Sequence, residues 1–182
     1  MNTDLMYAKY NQAGNQTIYH ILSKLSFEER TKDRGSFYGS LLELFFHIIS
    51  GTEYFLSLYK KTLIDNDAAF KALEIPPIDF VINEWMNENL KFDMEKQLWK
   101  KIEKAMDILD AAYVTMAEAL SAADLEKPIK VDWYGGNPAE VPLQFMLHQL
   151  VAHNIHHRGQ ISQILDSMKI DNDYSGINVA FM

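Results

Sequence analysis

The chain has 182 residues, 48% of them hydrophobic, which is enough to bury a sizeable core in one domain spanning residues 1–182 and rules out a largely disordered chain. A formal net charge of −8, with no offsetting basic block, argues against coating nucleic acid, because that affinity comes from neutralised phosphates. There is no cysteine, so disulfides, thiolate metal sites, iron–sulfur clusters and cysteine nucleophiles are all excluded. Eight glycines and five prolines fall short of the usual ~12% share, and so few breakers favour long helices. The opening residues Met1-Asn2-Thr3-Asp4-Leu5 do not read as a basic and apolar leader. No run approaches about 18 consecutive apolar residues. The expectation is an acidic, soluble, cytoplasmic and mostly helical protein of bacterial type, with no membrane and no nucleic-acid partner.

Four segments carry helical periodicity. The first covers about residues 3–25, where Tyr7, Asn11, Gly14, Ile18, Ile21 and Leu25 step by three and four along one face. The second covers about 37–63, with Ser40 to Glu43 as a capping box and Phe37 continuing the same face. Residues 64–92 form a longer connection with Pro76-Pro77 and an expected short helix near Asp79–Asn83. The third helix covers about 93–122, where Trp99, Ile102, Met106, Leu109, Tyr113, Met116 and Leu120 form a core stripe. A turn with extended arms follows at Trp133-Tyr134-Gly135-Gly136-Asn137-Pro138. The fourth helix covers about 142–168, and the last dozen residues pack as a tail. With no strands expected to pair, these elements predict an all-α, antiparallel four-helix bundle, a fold that builds metal and cofactor sites from side chains on facing helices.

The histidines single out one region. On the fourth helix His153 and His157 lie about 40° apart on the same face as Leu143, Met146, Leu150, Ile161, Ile164 and Met168. On the second helix His47 shares its face with Ser40, Leu44, Gly51, Tyr54 and Leu58, and Gly51 clears space beside it. Three imidazoles on two inward faces suit a divalent ion, and two stacked imidazoles in an apolar stripe are costly without one. A hydrogen-bonded core histidine is the plainer alternative for His47. His20 and His148 point outward. Candidate supporting side chains are Gln160, inward and next to His157; His156, about 60° to one side; and Glu43, about 40° from His47, which competes with its own capping role. Arg158 falls on a helix flank, suited to helix packing or a dimer surface. Asp110 reads as a solvated flank charge. Asn154 follows His153, so the glutamate of the HExxH metalloprotease pattern is missing. No phosphate-binding glycine loop or serine elbow is present, and no catalytic residue can be named.

These residues carry a resemblance. Gly39-Ser40 followed by His47-Ile48-Ile49-Ser50-Gly51-Thr52-Glu53-Tyr54-Phe55, and His153-x-x-x-His157-Arg158-Gly159-Gln160-Ile161, resemble the second- and fourth-helix motifs of the DinB/YfiT-like family. The resemblance implies a four-helix bundle of variant antiparallel topology. It also implies a divalent metal, often zinc or nickel, held by His47, His153 and His157, with frequent homodimerisation. Some relatives are transferases that use low-molecular-weight thiols such as bacillithiol or mycothiol, and many have no assigned activity. Relatives often place a further histidine where this chain has Gln149, so that residue's role does not carry over. The expected function is a metal-dependent thiol S-transferase acting on a small molecule. A metal-dependent hydrolase and a non-catalytic stress-related binding protein are the alternatives.

Overall fold

The computed structural model describes residues 2–75, 92–132 and 137–178. Short polar side chains start most of its helices by accepting backbone N–H groups that have no partner within the helix. Asn2 accepts from Leu5 N to open α1, Thr3–Ser23, and Ser26 caps the short α2, Phe27–Thr31. Ser40 opens α3, Leu41–Lys60, through the expected capping box, with Glu43 reaching back to the Ser40 backbone. The helix therefore begins after Phe37, which lies 91% exposed in the preceding turn rather than on the helical face. Asn66 caps α4, Asp67–Ala72, and its amide also bonds Asp124.

The third long helix, α5, runs Phe92–Ala119, followed by the single-turn α6, Ala122–Leu125. The extended arms expected around residue 135 do pair, contrary to a chain without strands: β1, Pro128–Val131, runs antiparallel to β2, Ala139–Pro142, with Ile129 opposite Val141. This hairpin leads into α7, Leu143–Ser167. The tail is pinned where Tyr174 donates to the Arg158 carbonyl and meets Ser162. The expected short helix at 79–83 and the turn at 133–136 lie outside the described residues.

The four long helices form a bundle in the cyclic order α1, α5, α3, α7, each packed on two neighbours. Ile18 of α1, Ile48 of α3, Tyr113 of α5 and Leu150 of α7 meet in one core, all fully buried. Complete burial of each such side chain stabilises the fold by about 1.5–3 kcal/mol. Among the described residues, helix α3 is long and apolar enough to cross a membrane by length and composition alone. Its apolar residues have a packing reason, since Leu44, Phe45, Ile48 and Leu56 face the core. The result that matters for function is that α3 and α7 lie side by side, so their inward histidines meet.

Candidate metal centre

His47 stands in the second turn of α3, and His153 and His157 stand one turn apart on α7. The structure brings them together: one ring nitrogen from each lies within 4.8 Å of the others. His47 Nε2 and His153 Nε2 are 3.0 Å apart, close to the ~3.3 Å that separates two nitrogens bound at ~2.0 Å to a tetrahedral ion. The rings of His153 and His157 meet edge to face at 4.5 Å, as do those of His47 and His157. Gly51 is what admits this arrangement. A Cβ there would lie 2.6 Å from His153 Cε1, so a larger residue would push the ring away from His47.

The outer ring nitrogens have partners that set the tautomers. Asn154 donates its amide N–H groups to Asn11 Oδ1 and Thr52 Oγ1, which leaves its Oδ1 to face His153 Nδ1 at 3.0 Å. Gln160 Oε1 faces His157 Nδ1 at 2.7 Å. With those oxygens as partners both Nδ1 atoms carry the hydrogen, which leaves both Nε2 lone pairs available, that of His153 facing His47. Burial, then His157, then His153 push the His47 imidazole down to about 4, so it is neutral near pH 7. Burial also lowers His153 and His157, against the raising effect of Asn154 and Gln160. Neutral imidazoles with converging lone pairs fit a divalent ion, because ligation requires the unprotonated form.

Two cavities reach His47. A larger one of about 840 Å³ lies under the loop before α3, bounded by Ser36, Tyr38, Ser40, Phe46 and Ser50. A smaller one of about 380 Å³ lies between α3, β1 and α7, bounded by Tyr54, Phe55, Val131, Met146, Gln149 and His153. His47 and Ser50 line both. His47 thus stands between two openings and His153 borders the smaller, while His157 is buried.

The other candidates divide. Gln160 holds His157 as its inward position predicts. Glu43 is exposed and bonds Ser40 through both the backbone N–H and the hydroxyl, so its carboxylate serves the helix cap. His156 is exposed and touches His157 only edge to face, at 4.9 Å. His20 and His148 are exposed, away from the cluster. Of the two roles expected for Arg158 the structure shows helix packing and not an exposed surface: it is 2% exposed, donates to Asn11 Oδ1 at 2.9 Å and lies over the Tyr10 ring. Gly14 of α1 leaves the space that its guanidinium fills. Asp110 corrects the expectation of a solvated charge. It is 2% exposed, accepts from Asn11 and Asn15, and burial pushes its carboxyl up to about 7.

Sequence reasoning missed Asn154, Asn11 and Tyr38. Asn11 sits on an inward helix face, and a buried amide there demands polar partners, a signal that pointed to the network. Asn154 offered the same signal one position after His153. Tyr38 lies in a loop, where no periodicity assigns a direction.

The model of the DinB family matches residues 1–168. No curated protein and no solved structure matches the chain.

Proposed function

The chain belongs to the DinB family, and from that membership and the geometry of its histidines we propose that it binds a divalent metal, zinc or nickel, through His47, His153 and His157. We further propose a cytoplasmic, homodimeric enzyme that transfers a low-molecular-weight thiol to a small electrophile. The observation that carries this reading is the position of His47 between two cavities, the smaller of which His153 also lines, which leaves room for two small molecules to approach one centre. When bound, the ion would lower the pKa of a thiol or water and make it a nucleophile at neutral pH.

The chain's own residues prepare that chemistry. Asn154 and Gln160 keep two imidazoles in the tautomer that presents Nε2 inward. Burial keeps all three imidazoles unprotonated near neutrality. Tyr54, Phe55, Val131 and Met146 give the smaller cavity apolar walls that exclude water from a bound electrophile. Because the chain has no cysteine, the thiol must be a cosubstrate.

The experiment is a mass-spectrometric screen of zinc- and nickel-loaded protein with low-molecular-weight thiols and a panel of electrophiles. Thiol conjugates that vanish on chelation are expected. Hydrolysis products without conjugates would replace transfer with metal-assisted hydrolysis. Turnover of neither kind by fully loaded protein would leave a binding protein.

A further inference from the structure

Tyr38 lies outside every helix, yet its side chain packs directly against two of the histidines. The turn before α3 closes through Gly39 N donating to Ser36 O at 2.9 Å and Arg34 N donating to Gly39 O at 2.8 Å. Gly39 has φ +74°, a left-handed conformation that suits glycine, and Ser40 then enters its capping box. The turn lays the phenol ring flat on His47, with centroids 4.1 Å apart and an interplanar angle of 24°. The same ring meets His157 edge to face at 5.4 Å. Its hydroxyl lies 2.9 Å from His47 Nε2, the nitrogen that also faces His153 Nε2 at 3.0 Å.

That nitrogen has one lone pair. If an ion takes it, the Tyr38 hydroxyl can no longer bond there, yet it remains within about one donor spacing of the ion's ligands. Tyr38 and His47 both line the larger cavity, the direction from which a second molecule can reach His47. A phenol O–H in that position is suited to an anionic partner, since hydrogen bonds to charged acceptors are roughly twice as strong as neutral ones. We propose that Tyr38 donates a hydrogen bond to the anionic oxygen, nitrogen or sulfur atom of a small molecule entering the open side of the three-histidine centre from the larger cavity. This rests on the three histidines holding an ion. It makes Tyr38 a residue that selects and orients the exogenous ligand, without serving as a ligand to the ion itself.

The test uses cobalt(II) as a spectroscopic ion and azide as the probe anion, so it needs no knowledge of the substrate. Tyr38→Phe retains the ring and deletes the hydroxyl, and Tyr38→Leu makes the same deletion should the phenylalanine variant fail to fold. The expected result is azide affinity about tenfold weaker or more, with cobalt affinity within about threefold and the azide-free absorption spectrum unchanged. Unchanged azide affinity would overturn the proposal and reduce Tyr38 to a packing contact. A large loss of cobalt affinity with an altered azide-free spectrum would overturn it differently, by making the phenol a direct ligand. Failure of the unmodified protein to take up cobalt would overturn the three-histidine reading and Tyr38's role together.

Discussion

Helix α7 carries two i, i+4 pairs offset by a single residue, and they manage burial in opposite ways. His153 and His157 turn towards α3 and bring one ring nitrogen each within 4.8 Å of one on His47, which lines two cavities. Asn154 and Arg158, about 100° round the helix, turn towards α1 and enter a sealed network with Asn11, Asn15 and Asp110. Asp110 and Arg158 face the same amides from opposite helices, so the network ties α5 and α7 to α1. The two clusters share a boundary, since Asn154 bonds His153 through its oxygen and the network through its nitrogen. A buried polar group whose partners lie within the chain contributes to a single packing. One whose lone pairs point at one another is held ready for something from outside.

The open cluster depends most on the histidines themselves. His47→Ala, His153→Ala and His157→Ala are each expected to remove nearly all bound metal by elemental analysis, whereas His20→Ala and His148→Ala retain it. Full metal content in His153→Ala would place the centre elsewhere.

Arg158→Leu should do the reverse. Removing one member of a buried charged cluster costs about 3–5 kcal/mol, so denaturant unfolding should show a loss near the lower figure, given that Asp110 is partly neutral. Metal affinity should stay within a few-fold. A variant that loses metal but not stability would mean the two faces of α7 are assigned the wrong way round.

Gly51→Ala probes the contact on which the open cluster depends. Its Cβ would collide with the His153 ring, so the expected outcome is an overpacking loss of about 1–3 kcal/mol together with weaker metal binding. Gln160→Leu should be milder for the fold. Without its partner at Nδ1, His157 is free to change tautomer, and metal affinity should fall about tenfold at nearly constant stability.

The smallest effect is a pair of opposed pH dependences in the metal-free protein. His47 titrates near 6.5 when unfolded and near about 4 when folded, so its contribution is present above 6.5 and is lost as the pH falls towards 4. Asp110 has its carboxyl raised from 3.8 to about 7, so its contribution is present below 3.8 and is lost as the pH rises towards 7. The two partly cancel between pH 4 and 6.5. Asp110→Asn should therefore make stability rise more steeply with pH across that window, and His47→Leu should flatten the rise. Urea midpoints measured at several pH values would read both slopes.

Much of the comparison's open half is legible in the chain itself. The spacing of His153 and His157 within an apolar stripe, the glycine one turn after His47, and the Ser40–Glu43 cap are local matters. Helix periodicity sets the angular position of every side chain, and capping sets where the helix begins. The same rule placed Gln160 beside His157. Of the two roles it left open for Glu43 the cap is the one the structure shows, and it erred on Phe37 because the Ser40 cap starts the helix only after it.

What the sequence determined by itself is therefore angular: four amphipathic helices, which residues share a face, and three imidazoles on inward faces. What only the tertiary structure decided is the identity and depth of the neighbours. Asp110 and Arg158 sit at stripe edges, where a flank is solvated or buried according to the helix packed against it. Here α1 covers both, with Gly14 leaving the room. Tyr38 has no helical phase, and its direction comes from a turn closed by backbone bonds and a glycine at positive φ. Periodicity is a property of one helix about its own axis, whereas burial, pairing and access depend on the distances between helices. Those distances are set by the packed core as a whole.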